Sequence, residues 1–311
     1  MTPWFTSASK RRRYLVGVSG GADSIALLHL LVDHGFQNLV VCHLDHRLRG
    51  KASTDDERFV EKTTKRLGLT FELERSDVEA LSRVTGCSLE TAGREARHAF
   101  FASCAKKHRC PRVLLAHHAD DRAETALWNL LRGSHGVKSI RAEQTIQVNG
   151  RALELIRPLL EARRFDLRKY LTQRGIAWRE DATNAEGIAI RNRLRLEALP
   201  LLEDIAGRDI VPALLRAADA SRDKEAVIEW ALDQANVLDP QGRLHLPALR
   251  ALPAAMRRAA IHRFLQDNHV ANLDRDLLDR AVGLLNPENA AVLNLPSGRH
   301  LRRRAGRIFV E

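Results

Sequence analysis

YLVGVSGGADS, Tyr14 to Ser24, is the stretch on which the fold turns. Tyr14 to Val18 is a short apolar run that reads as a buried strand, and Asp23 to Asp33 carries Ile25, Leu27, Leu28 and Leu31 at helical spacing. Between them, Gly20 and Gly21 permit a tight turn and a close approach of backbone to ligand. Asp23 or Ser24 is placed to cap the helix, whose first N–H groups then face an anion. Ser19 and Ser24 add hydroxyls, so Ser19, Gly20, Gly21, Ala22, Asp23 and Ser24 are the phosphate-binding candidates. No Gly-Lys-Ser/Thr follows and the glycines do not fit G-x-G-x-x-G, so neither a Walker A loop nor a dinucleotide fingerprint is present. The plainer alternative is a glycine-rich turn with no ligand.

Outward from this turn, strands and helices alternate. Leu39 to Leu44, Phe71 to Leu73 and Val113 to Ala116 read as strands. Ser53 to Leu67, Leu89 to Lys107, Asp121 to Leu131 and Phe165 to Arg174 read as helices. Such alternation implies βαβ units and a parallel sheet covered on both faces, with ligands beyond the carboxyl ends of the strands. After about Ile205 the chain turns to Ala, Leu and Arg at helical spacing as far as Asn286. The end, LNLPSGRHLRRRAGRIFVE, has turn signals at Pro296-Ser297-Gly298 and Gly306 and reads as a β-hairpin.

Composition narrows the function. The 311 residues are 44% hydrophobic and 29% charged, a globular balance, and 50 basic against 39 acidic residues leave a net charge of +11. That excess favours a polyanionic partner, nucleic acid first. Cys42, Cys87, Cys104 and Cys110 form no C-x-x-C pair, so neither a zinc site nor a dithiol motif is signalled. No apolar stretch is long enough to span a bilayer, and the short apolar run near the N-terminus enters the glycine turn directly. The expected location is the cytoplasm.

The S-G-G-x-D-S pattern resembles the pyrophosphate (PP) loop of the ATP pyrophosphatases, which split ATP between the α and β phosphates and transfer AMP. Four further segments resemble the tRNA(Ile)-lysidine synthase family: HLDHRLR (His43 to Arg49), ETAGREARHAFF (Glu90 to Phe101), LAHHADDRAETALWNLLRG (Leu115 to Gly133), and RPLLEARRFDLRKYLTQRGIAWREDATNAEGIAIRNRLRLEALP (Arg157 to Pro200). LPSGRHLRRRAGRI resembles the family's substrate-binding domain more weakly.

The resemblance implies a Rossmann-like, parallel-sheet α/β PP-loop catalytic domain over residues 1–205. A small, mainly helical tRNA-binding domain with a terminal β-hairpin follows over 206–311. It implies an ATP-dependent ligase that joins free L-lysine to the wobble cytidine of isoleucine tRNA with a CAU anticodon. The cytidine is adenylated first; lysine then displaces AMP. Mg²⁺ accompanies ATP, and the oligomeric state stays open, a homodimer among the options.

Asp45, at a strand end, is the expected catalytic and Mg²⁺-holding carboxylate, with His43 beside the nucleotide and His46 adjacent. Arg94 and Arg97 share a helical face and are expected on ATP or RNA phosphate, a solvated basic face being the alternative. Asp121 and Glu124, also three apart, are expected to bind and deprotonate lysine with Arg191 nearby; helix-end acids favoured by the dipole are the alternative. Arg195, Arg299, Arg302 and Arg304 are the RNA-phosphate candidates, and the Arg11-Arg12-Arg13 run is the fallback.

Two features depart from the family. SHGVKSIRAE replaces the usual Gly-Leu-rich continuation after Gly133, and the chain stops after one small C-terminal domain, so tRNA is expected to be read with fewer contacts. A tRNA thiolase and a basic RNA-binding module with a vestigial nucleotide site are the competing readings.

Overall fold

The computed structural model describes residues 3–48, 50–133, 136–180 and 190–311. Arg49 of the first motif, Ser134 and His135 of the departing loop, and residues 181–189 of the fourth motif lie outside the described residues. The chain divides into two compact units, Met1–Ala218 and Asp219–Glu311.

In the first unit the order is α1 (Trp4–Ser7), β1 (Tyr14–Gly17), α2 (Ala22–Asp33), β2 (Leu39–Asp45), α3 (Lys51–Arg66), β3 (Thr70–Arg75), α4 (Val78–Thr85), α5 (Leu89–His108), β4 (Arg112–Leu114), α6 (Ala119–Leu131), β5 (Glu143–Val148), β6 (Arg151–Ile156) and α7 (Arg164–Gln173). The strands form one sheet in the order β3-β2-β1-β4-β6-β5, parallel except for the outermost strand β5.

The period-2 pattern of the strands divides the core. Tyr14, Val16, Leu39, Val41 and Leu114 face one layer with Leu27, Leu28 and Leu31 of α2 and Leu167 and Leu171 of α7. Leu15, Val40, Cys42 and Val113 face the other, against Phe100 and Phe101 of α5. The sheet is therefore covered on both faces, as the continuous apolar character of β1 and β2 requires.

Several elements were not foreseen. The helices α1 and α4 are four and eight residues long. The β5–β6 hairpin turns at Asn149-Gly150, both with positive φ (50° and 71°). Asn-Gly between alternating segments is a strong hairpin signal, so this miss had a readable cue.

After α8 (Ile190–Arg193), a π-helical turn, Leu194–Ala198, runs into α9 (Leu199–Ala206) and on to α10 (Val211–Gln234). The second unit contains β7 (Leu244–His245), α11 (Leu246–Ala251), α12 (Ala254–Asp267), α13 (Arg275–Gly283), β8 (Val292–Asn294), β9 (His300–Arg304) and β10 (Arg307–Val310). The expected hairpin is β9–β10, turning at Ala305-Gly306, and two more strands widen it to an antiparallel sheet of order β7-β10-β9-β8. Leu301 and Ile308 bury its inner face against Ile261, Phe264, Leu277 and Leu278.

Candidate functional site

The glycine turn links the carboxyl end of β1 to α2. Gly20 has φ +96°, and a Cβ there would stand 3.3 Å from Val60 Cγ2, so both backbone and space call for glycine. The loop is tied to itself: Ser19 N donates to Ser24 Oγ (3.2 Å), Gly21 N to Ser19 Oγ (3.3 Å), and Ser24 Oγ to the Gly21 carbonyl (3.0 Å). The expected side-chain cap is corrected. Gly21 is the N-cap residue, with no side-chain cap bond, and Asp23 and Ser24 lie inside the helix. The first N–H groups of α2 are thus left to a ligand.

An acidic wall begins at Asp23. Among the described residues its Oδ1 is buried with no hydrogen-bond partner. Its Oδ2 lies 3.4 Å from His118 Nε2. His118 is fully buried at the head of α6, 3.5 Å from both Asp120 and Asp121. Burial opposes its charge, but the carboxylates of Asp120, Asp23 and Asp121 close to the ring push the imidazole up to about 9. An imidazolium cannot accept the Asp121 N–H, which agrees with the long 3.4 Å separation from Nδ1. Burial likewise works against Asp23, yet His118, Arg164 and Arg195 hold its carboxyl below the usual range. Asp120 accepts from Arg163 and from the Arg164 amide (2.8 Å).

Further along α6, Glu124 is 2% exposed and takes a bidentate bond from Arg195, at 2.6 Å from Nε and 3.1 Å from Nη2. Burial pushes the Glu124 carboxyl up, with Arg195 pulling against it. Arg195 also stands 3.5 Å from Asp121. Its turn is the π-helical one, a local widening that recurs at functional sites.

A basic wall faces the loop from α5. Arg97 lines a cavity of about 310 Å³ together with Ser19, Asp23, His46, Phe100, Phe101 and His117. Its side chain is open to the cavity but crowded by protein around it. That desolvation, then the charges of Arg191 and Arg94, lower the guanidinium from its ordinary value. Arg191 itself reaches Glu90 at 3.9 Å. Burial pushes the His117 imidazole down to about 4; Asp121 pulls the other way, while Arg157, Arg97 and Arg191 add to the depression. His117 Nδ1 is buried without a hydrogen-bond partner among the described residues. A second, more polar cavity of about 230 Å³ lies across the loop, where Asp23 and Ser24 meet Arg164, Arg168, Trp178, Arg179 and Arg195. The loop therefore separates an apolar, aromatic-lined cavity, suited to a nucleoside, from an arginine-lined one suited to phosphate.

Other expected residues stand elsewhere. His43 is buried and its Nδ1 meets the Val18 carbonyl (2.8 Å), which fixes the end of β1. Asp45 Oδ1 accepts from the Arg47 amide (2.8 Å) and lines a separate open hollow with Glu57 and Arg75, away from both cavities at the loop. Arg94 is exposed on α5. Among the described residues, no three His, Cys, Asp or Glu side chains gather as a metal cage. In the second unit Arg299 donates to the Asn268 carbonyl (2.6 Å) and Arg302 pairs with Glu311. Arg303 donates to the carbonyls of Leu284 and Asn289 (each 2.8 Å), and Arg307 to Asp239 (2.9 Å). No local pattern signalled the Glu124–Arg195 pair or the charge of His118. Asp23 and His118 were visible only as members of motifs.

The chain is similar to known proteins. A PP-loop domain model matches residues 2–202, and a TilS substrate binding domain model matches residues 244–309. The chain is 38% identical to the tRNA(Ile)-lysidine synthase of Geobacter sulfurreducens over 92% of this chain and 61% of that one. It is 38% identical to a Thermus thermophilus protein of the same name, over 95% of this chain and 56% of that one. The Chlorobaculum tepidum protein of that name is 33% identical, over 91% of this chain and 86% of its own length. The chain thus spans about 60% of the length of the first two. Among solved structures, the U34-tRNA thiolase NcsA from Methanococcus maripaludis matches with a TM-score of 0.53 at 13% identity, over 68% of this chain and 71% of that one; the likeness is one of fold. No helix is long and apolar enough to cross a membrane among the described residues.

Proposed function

This chain belongs to the tRNA(Ile)-lysidine synthase family, and from that premise we propose that it uses ATP to join lysine to the wobble cytidine of isoleucine tRNA. The observation that carries the reading is the link between loop and acids. His118 lies 3.4 Å from Asp23 of the nucleotide loop and 3.5 Å from Asp121 on α6. A nucleotide site and a cation-binding site thereby share one buried charge cluster.

In the proposed reaction the cytidine carbonyl oxygen attacks the α-phosphorus of ATP and pyrophosphate leaves. The lysine ε-amine then forms a C–N bond to that ring carbon, the C–O bond breaks, and AMP departs. The amine must give up protons, and Asp121 and Glu124 are the acceptors that α6 offers. Glu124 is suited to this role because burial raises its carboxyl. Adenosine fits the aromatic cavity against Phe100 and Phe101, with Arg97 at hand for its α-phosphate, and the arginines across the loop, Arg164 and Arg168 among them, suit the remaining phosphates. Asp23 Oδ1, buried and unpartnered among the described residues, fits Mg²⁺ better than Asp45, whose Oδ1 already accepts an amide. Mg²⁺ there would neutralise charge on the triphosphate, drawing its remaining oxygens from phosphate and water. Arg304, exposed, is the C-terminal arginine best left for RNA, since Arg299 and Arg303 are committed to carbonyls and Arg302 to Glu311.

Thiolation finds less support. Cys42, Cys104 and Cys110 are buried and Cys87 is only half-buried, so no exposed thiol pair is offered. The deciding experiment supplies ATP and unmodified isoleucine tRNA with labelled lysine, or with a labelled sulfur donor. Label from lysine in the tRNA, with AMP and pyrophosphate released, is expected; label from sulfur alone would overturn the reading.

A further inference from the structure

The run Lys10–Arg13, whose arginines the sequence offered as the fallback for RNA phosphate, has no part in the site described above. It precedes β1 and so sits at the amino end of the sheet, opposite the loop. The turn is fixed rather than loose: Arg12 N donates to the Ser9 carbonyl (3.4 Å), Tyr14 Oη to the same carbonyl (3.1 Å), and Asn38 Nδ2 to the Arg11 carbonyl (2.8 Å). Just upstream, Trp4 stacks on Phe36 at 5.4 Å and Phe5 is 1% exposed, which anchors the segment.

Other cations gather at the same end. Arg13 donates to the His108 carbonyl (2.8 Å) at the last turn of α5, where Arg109 follows, exposed. Arg112 lies over the Tyr14 ring at 5.8 Å, and Arg151 opens the neighbouring strand β6. Two acids stand among them: Glu72, already held by Lys107 and His108, and Glu154. Among the described residues Lys10, Arg11, Arg12, Arg109 and Arg151 make no ion pair. The helix dipole accounts for the basic last turn of α5 but not for Lys10–Arg12, which belong to no helix. By contrast, Arg302 and Arg307 are paired with acids.

We propose that this end of the sheet is a second surface for RNA phosphate, engaging the substrate tRNA away from its reacting nucleotide; the inference rests on the reading above that tRNA is the substrate. β1 alone separates the two ends by about 13 Å. That exceeds the Debye length of about 8 Å at physiological ionic strength, so the cleft arginines and this surface act on different phosphates. RNA suits the patch better than a lipid surface. None of the exposed large apolar side chains falls within residues 3–14 or 106–112, so the patch offers nothing to bury in a membrane.

The test is a Lys10→Ala, Arg11→Ala, Arg12→Ala variant, with Tm as the folding control. Its Kd for isoleucine tRNA should rise about ten-fold at 0.1 M salt, and the slope of log K against log salt should fall by about 0.7 to 0.9 per lost contact. ATP binding without tRNA should be unchanged. An Arg11→Lys, Arg12→Lys variant should keep the wild-type slope. Unchanged tRNA affinity and slope in the alanine variant would overturn the proposal. So would loss of binding to anionic phospholipid vesicles with tRNA binding intact. Wild-type chain that binds tRNA through this patch yet incorporates no lysine would sink the lysidine reading and leave this one standing.

Discussion

His117 and His118 are neighbours in sequence, yet they belong to opposite walls of the cleft. His117 sits on the side of Arg97, Arg157 and Arg191, and burial with those charges pushes it down to about 4. His118 sits among Asp23, Asp120 and Asp121 and is pushed up to about 9. One residue type is therefore a neutral base on one wall and a cation on the other. The difference lies in which charges the fold brings to each ring, and paired groups driven apart in this way mark a site built for proton and charge handling.

Substitutions on either wall can break this contrast. The largest effect is expected from Asp23→Asn, which removes the unpartnered carboxylate oxygen of the acidic wall. Pyrophosphate release should fall on the order of 10²- to 10³-fold with tRNA affinity unchanged. Release at the wild-type rate would reduce the wall to a structural charge network.

Glu124→Gln comes next. It leaves Arg195 with Asp121 as its remaining acid partner, so stability should drop by about 1 to 2 kcal/mol in denaturant titrations, and lysine transfer should slow more than adenylation. A Glu124→Leu, Arg195→Met pair should recover the stability but not the transfer. Normal lysine dependence in Glu124→Gln would remove the residue from lysine handling.

The two histidines should then leave opposite marks on the stability of the ligand-free protein. His118 is raised above its unfolded value of about 6.5, so its contribution is complete below that pH and is lost as pH rises through about 9. His117 is depressed, so stability is lost as pH falls from about 6.5 through about 4. Each limb should amount to roughly 3 kcal/mol, and His118→Gln and His117→Gln should each flatten one limb only. A profile flat at both ends in the wild type would contradict the two-wall description.

Arg97→Ala is the mildest. Losing one cation of the basic wall should raise KM for ATP about ten-fold with Tm unchanged, and should let the His117 limb begin nearer its ordinary pH. An unaltered KM would leave Arg97 as a solvated face of α5.

These walls were only partly legible in the sequence. The β1 turn was readable because a strand period, two glycines and a helix period follow one another within twenty residues. Asp121 and Glu124 were readable as a pair because both lie on one helix. The partner of Glu124 was not, since Arg195 is 71 residues away and reaches it from a π-helical turn that no local pattern announces. Asp45 drew attention as a carboxylate at a strand end, and that end does reach the loop, where Cys42, Leu44 and His46 line the aromatic cavity; but the Asp45 side chain, alternating with Leu44 and His46, lies in the hollow beside Glu57 and Arg75. The arginines of the last strands looked alike in sequence. Which of them are committed to carbonyls and acids depends on contacts across the second unit's own fold.

The strand order has a consequence for how the chain is made. β1 lies between β2 and β4, and Val16 pairs with Val41 on one side and Leu114 on the other. The first partner leaves the ribosome soon after β1; the second follows roughly a hundred residues later, about 5 to 20 s at ordinary synthesis rates. Through that interval one edge of this fully apolar central strand has no neighbour, and Phe100 and Phe101, which cover one of its faces, emerge only shortly before β4. The newborn chain is most exposed to mispairing just when its nucleotide loop has already been synthesised, so a nucleotide that bound early would find a loop without its acidic wall.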